Sequence, residues 1–156
     1  MRPITRFPNK PKRLAHVFQT YDPPLYFVTI CTWKRSELLA SEAVHASFVE
    51  YCQNNLQRGI IVGRYVLMPD HLHLFAGISR QFRLSDFVRL MKQDLSKELN
   101  AQGHLAPHWQ PGFFDHLIRH SESYAQKWRY VGENPVRAGL GDSWPFQGEV
   151  ARIDVV

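Results

Sequence analysis

The chain has 156 residues, of which 44% are hydrophobic, 13% aromatic and 21% charged, a composition that fits one globular domain. No apolar run approaches the roughly 20 residues of a membrane span, and Cys31 and Cys52 lack metal-ligand spacing, so a reduced cytoplasmic setting without a membrane is expected. The net charge of +5 and pI near 9.4 are unevenly distributed, because Arg2, Arg6, Lys10, Lys12 and Arg13 all precede the first acidic residue, Asp22. Residues 1–24 thus read as a basic arm suited to a polyanion, with a merely solvated tail as the alternative. A mitochondrial presequence fits poorly, because Pro3, Pro8 and Pro11 break the amphipathic helix it would need.

A single domain is expected over residues 25–140, followed by a short tail at 141–156. "LYFVTICTW" (Leu25 to Trp33) is rich in β-branched and aromatic residues and predicts a buried strand. Ser41 can cap a helix to about Arg58, with Val44, Phe48, Val49, Cys52 and Leu56 on one face. "IIVGRYVLM" (Ile60 to Met68) is a second strand, and Pro69-Asp70 turns the chain into a third, "HLHLFAGI". Leu84, Phe87, Val88, Leu90, Met91 and Leu95 form the apolar stripe of a second helix. "HWQPGFFDHLIR" (His108 to Arg119) predicts a further strand with a Pro-Gly irregularity. Ser121 or Ser123 can cap a third helix through "YAQKWRYVGEN", halted by Pro135. The order β-α-β-β-α-β predicts an α+β, ferredoxin-like split βαβ antiparallel sheet. Its two helices would pack on one face, and an additional C-terminal helix would carry Tyr130.

Alternation along a strand puts His71 and His73 on one face, while Leu72, Leu74, Ala76 and Ile78 turn toward the helices. Paired imidazoles at that spacing could share a divalent cation; two hydrogen-bonded structural histidines are the alternative. A metal site needs another donor, and "WRYVGENPVRAGL" (Trp128 to Leu140) can supply one. Tyr130 and Asn134, four apart, would share a helix face, giving a phenol and a neutral amide oxygen suited to Mg²⁺ or Mn²⁺. Alternatively, Tyr130 packs in the core and Asn134 caps the helix. Gly132 between them would either soften the helix or mark early fraying before Pro135.

At these motifs the sequence resembles the single-tyrosine HUH transposases, and among them the REP-associated tyrosine transposases. "HLH" matches the HUH signature, "RYVGENPVRAGL" the tyrosine segment and "HWQPGFFDHLIR" the segment before it, a likeness running from about Tyr26 to Leu140. The resemblance implies Tyr130 as catalytic nucleophile and His71, His73 and Asn134 as ligands of a divalent metal, Mg²⁺ or Mn²⁺. It further implies cleavage and rejoining of hairpin-bearing single-stranded DNA, such as REP-like palindromes, through a 5′-phosphotyrosine. A bacterial, nucleoid-associated setting follows, with a monomer favoured over a dimer.

Phosphate contacts are expected from Lys12, Arg13, Lys34, Arg35, Arg89, Lys92, Arg119 and Arg129, and Asp115 or His116 could orient a ligand. Arg137 is a further cationic candidate, and Trp33, Phe113, Phe114, Trp128 and Trp144 could stack on bases or belong to the core. The rival readings are a catalytically silent nucleic-acid-binding regulator and a metal-dependent hydrolase in which Tyr130 is structural.

Overall fold

The protein is described by a computed structural model covering residues 23–119 and 123–153. Most of the basic arm, including Lys12 and Arg13, lies outside the described residues. Strands β1 (Leu25–Cys31), β2 (Ile60–Leu67), β3 (His71–Ile78), β4 (Phe114–Leu117) and β5 (Gln147–Glu149) form one sheet in the order β4-β1-β3-β2-β5. Every neighbouring pair is antiparallel. Helices α1 (Glu42–Leu56) and α2 (Leu84–Ala101) cover one face, as the element order predicts. The Ser41 hydroxyl accepts the Val44 amide at 3.2 Å and so starts α1.

The buried cluster on the helix side joins Val28 and Ile30 of β1, Leu72, Leu74, Ala76 and Ile78 of β3, and Val44, Phe48, Phe87, Met91, Leu95 and Leu99 of the helices. Burying side chains of this size contributes about 1.5–3 kcal/mol each before entropic costs. With the even residues of β3 committed to that core, His71, His73 and Phe75 must face the other way.

Three expectations need correction. Within the expected strand from His108 to Arg119, only Phe114–Leu117 pairs along β1; Pro111 and Gly112, the latter at φ 76°, interrupt the ladder after Trp109. The segment set apart as a tail supplies β5 on the edge of β2, and the Trp144 indole donates to the Leu67 carbonyl at 2.8 Å. The tyrosine segment is two helices, α3 (Tyr124–Gly132) and α4 (Asn134–Arg137). Ser123 caps α3 by accepting the Gln126 amide at 2.8 Å. Pro135 has no N–H to return to Val131, which accounts for the pause at Glu133.

Helix α3 crosses the face that α1 and α2 leave open. Tyr124 packs with Leu25, Phe75 and Ile118, and Val131 packs with Val66 and Met68; Trp128 borders both groups. A β-bulge between Val62 and Tyr65 makes the seat. The Arg64 amide, turned out of the ladder, donates to the Tyr124 hydroxyl at 2.5 Å. Gly63 is needed because any Cβ there would collide with that hydroxyl and with Ile153.

Candidate active site

His71 and His73 lie side by side, ring centroids 4.8 Å apart and planes at 78°. Each imidazole is held by its Nδ1. For His71 the partner is Asp70, whose carboxylate oxygen lies 2.7 Å away; for His73 it is Thr29 Oγ1 at 2.8 Å, from the adjacent strand. Burial would raise the Asp70 pKa, but hydrogen bonds from His71 and Arg35 outweigh it and hold the carboxyl below its ordinary value. An ionised carboxylate only accepts, so His71 donates from Nδ1, and Nε2 is the nitrogen left for another partner. In His73, too, Nε2 is the nitrogen left for another partner. Two rings fixed through Nδ1, one of them by a carboxylate, form a common arrangement behind metal-bound histidines.

His73 is further fixed by Phe27, which stacks on it at 5.1 Å and 22°. Burial, then the positive surroundings of His71, Lys127 and Arg35, push its pKa down to about 3. The ring is therefore neutral at physiological pH, the form a metal requires.

Arg35 reaches this pair from the loop after β1. Its Nε donates to Asp70 at 3.0 Å, and its Nη2 lies 3.2 Å from His71 Nδ1. Lys34 and Arg35 both adopt the left-handed region, at φ 52° and 56°, which costs residues with a Cβ on the order of 1–3 kcal/mol. The loop is pinned to the turn before β3: Thr32 N donates to Asp70 O, and Leu38 N and Leu39 N donate to Pro69 O, at 2.9–3.0 Å.

Tyr130 is 68% exposed, so it is no core residue. The Arg137 guanidinium lies over its ring at 4.7 Å, donates to the Tyr130 carbonyl at 2.9 Å and also engages the Asn134 side-chain oxygen. Asn134 does not cap; Glu133 occupies the position before α4. One turn ahead of Tyr130, Lys127 places Nζ 5.2 Å from the Phe27 ring centroid, against the aromatic that stacks on His73. This contact ties the tyrosine helix to the histidine pair.

The other expected site residues divide by face. Asp115 pairs with Val28, and cross-strand partners share a face, so it points to the helix side, where it lines a cavity of about 530 Å³ with Tyr26, Phe82 and Phe113. The sheet separates it from the histidines, and it cannot orient them. His116 pairs with Phe27 and Phe114 with Thr29, which puts both on the histidine face. Lys92 is committed elsewhere: its ammonium donates to the carbonyls of Gln110 and Gly112, at 3.0 and 2.6 Å, on the far side of the sheet. Arg89, also on α2, pairs with Asp86 at 3.5 Å. Lys34 lies over Trp33 at 5.9 Å, and Arg119 and Arg129 are exposed. Thr29, Phe27 and Lys127 are site neighbours that sequence reading passed over. A signal existed only for Lys127, which precedes Tyr130 by one helical turn.

Comparison with known proteins adds a family match. The family described as "Transposase IS200 like" matches residues 24–134. An uncharacterized protein of Haemophilus influenzae Rd is 23% identical over 157 residues, covering 80% of this chain and 86% of that protein. A REP-associated tyrosine transposase of Escherichia coli K12 is 26% identical over 88 residues, 54% of this chain and about half, 52%, of its own. Among solved structures, a REP-associated tyrosine transposase bound to a REP hairpin superposes with a TM-score of 0.65 at 25% identity, covering 80% of this chain and 76% of that one. A crystal structure from Deinococcus radiodurans R1 has a TM-score of 0.51 at 23% identity over 70% of this chain and 88% of its own, a likeness of fold alone.

Proposed function

The chain belongs to the IS200-like transposase family, and from that premise we propose that it cuts and rejoins single-stranded DNA carrying a hairpin, with Tyr130 as nucleophile. The observation that carries the reading is the helix crossing the histidine face with a solvent-exposed phenol, its preceding turn anchored through Lys127 to the Phe27–His73 stack. The structural neighbour bound to a REP hairpin supports the choice of substrate.

The residues present fit a divalent cation. His71 and His73 would hold it through Nε2 and Asn134 through its amide oxygen once Arg137 releases that atom. Asn134 would add a neutral amide oxygen to the two imidazoles, since among the described residues no group of three or more His, Cys, Asp or Glu side chains is placed to hold a metal. Mg²⁺ or Mn²⁺ bound there supplies Lewis-acid stabilisation of charge on the scissile phosphate.

Tyr130 Oη forms a bond to phosphorus as the P–O3′ bond breaks. The phenol proton leaves to solvent, and the departing strand takes one up as its 3′-hydroxyl. One phosphodiester replaces another, so a second 3′-hydroxyl can reverse the step without an energy source.

The test is incubation of the protein and Mn²⁺ or Mg²⁺ with hairpin oligonucleotides labelled at either end. A 3′ label should migrate with denatured protein, a 5′ label should appear as a shortened strand, and Tyr130→Phe should abolish both. Cutting that persists in Tyr130→Phe would assign the attack to water.

A further inference from the structure

Lys127 belongs to no expected set, yet it is a half-buried cation on the face that carries the histidines. Its Nζ sits over the Phe27 ring at 5.2 Å, and its charge is among those that disfavour protonation of His73. The carboxylates of the turn before β3 and of the end of α3 are matched by other cations, Asp70 by Arg35 and His71 and Glu133 by Arg137. Among the described residues no carboxylate comes within ion-pair distance of Lys127. Phe27 gives it a weak aromatic partner on one side only. A flexible ammonium is costly to hold against an apolar ring beside two imidazoles unless an anion completes its surroundings.

We infer that Lys127 receives a non-bridging oxygen of the phosphate that Tyr130 attacks, holding that phosphate against the Phe27–His73 stack. The inference rests on the proposed function and deepens it by naming the group that positions the reacting phosphate. Helical spacing supports it: Lys127 and Tyr130 are three residues apart in α3, so a phosphate between helix and sheet can meet both side chains. The contact is purely electrostatic and transfers no proton. Lys127→Met keeps the stem that packs on Phe27 and removes the charge; Lys127→Arg keeps the charge.

The experiment reads binding and cutting separately. Binding of a fluorescent single-stranded hairpin is measured by anisotropy in the Tyr130→Phe background across a salt series. Lys127→Met should weaken binding about tenfold at low salt and lower the slope of log affinity against log salt by about 0.7, as for one lost phosphate contact on a single strand. Lys127→Arg should restore both. Substituting one methylphosphonate at a time should then erase the difference between the Lys127→Met variant and its parent at the scissile position alone. In the Tyr130 protein, Lys127→Met should slow adduct formation at saturating DNA without weakening Mn²⁺ binding, since the charge it removes repels a cation at the imidazoles. An unchanged salt slope, or a penalty that survives neutralisation of the scissile phosphate, overturns the assignment. A Lys127-dependent slope without any covalent adduct would instead sustain the phosphate contact and refute the nucleophilic role of Tyr130.

Discussion

Gly63→Ala should unseat the tyrosine helix through a contact that can be tested atom by atom. The new Cβ would stand 2.6 Å from Ile153 Cδ1 and overlap the Tyr124 hydroxyl. The isoleucine methyl can rotate away; Tyr124 cannot, because it is buried and packed edge-on against Phe75 at 4.8 Å. Overpacking of this kind costs about 1–3 kcal/mol, and pushing the hydroxyl off the Arg64 amide removes a hydrogen bond worth about 1 kcal/mol more. The expected loss of about 2–4 kcal/mol corresponds, for a chain of this length, to a fall of roughly 5–15 °C in Tm. Urea unfolding should give the free energies, and hydrogen exchange should show lost protection along residues 124–132. Tyr124→Phe should cost about 1–2 kcal/mol by leaving the Arg64 N–H unpaired. The double variant should cost less than the sum by about 1 kcal/mol or more, since the overlapping atom is gone and the hydrogen bond is lost only once. Strict additivity would refute the claim that Gly63 exists to admit the Tyr124 hydroxyl.

Asp70→Asn removes the carboxylate that fixes the His71 tautomer and should weaken Mn²⁺ binding about 10- to 100-fold by calorimetry, while the fold is retained. His73 should make stability pH-dependent. The unfolded imidazole takes a proton near pH 6.5, whereas the folded one resists until about 3, so the unfolded state binds more protons between these values and stability falls as pH drops. The slope, up to about 1.4 kcal/mol per pH unit, should flatten in His73→Asn relative to the parent in denaturant titrations. Lys92→Met should lower stability by about 1–3 kcal/mol through loss of its two carbonyl contacts, yet leave the salt slope of DNA binding unchanged. Gly132→Ala should strain the Trp128 indole, whose nearest ring atom would lie 3.1 Å from the new Cβ; a gain in stability would instead favour the simple helix-propensity effect.

Periodicity carried much of the fold. The alternation in "HLHLFAGI" assigned both faces of β3, and the positions of Phe87, Val88, Met91 and Leu95 assigned the buried side of α2. Leu90, counted in that stripe, is exposed, because it sits about 100° around the helix from Met91 on the side away from Val88 and Leu95. Pattern reading failed where pairing is short or set by distant partners. Residues 147–149 form only a brief edge strand and carry no alternation long enough to detect. The break at Glu133 follows from one missing amide at Pro135, which reads in sequence as the end of a helix although a proline is compatible with a first turn.

The site divided in the same way. His71, His73 and Tyr130 stand out because their chemistry is unusual for their positions, whereas the residues that hold them are ordinary in sequence. Thr29 reaches His73 only through the register of β1 against β3, and Arg35 reaches Asp70 only because two consecutive residues take left-handed conformations that no glycine announces. Asp115 misled for the opposite reason: it lies next in sequence to His116, but strand alternation turns it to the far side of the sheet. A cationic residue therefore cannot be ranked by its distance in sequence from a motif. Lys92, on an amphipathic helix, proved to be bound to carbonyls, while Lys127 lies over Phe27 with no carboxylate among the described residues within ion-pair distance. What separates them is whether the fold already satisfies the ammonium, and that is decided by contacts between elements far apart in the chain.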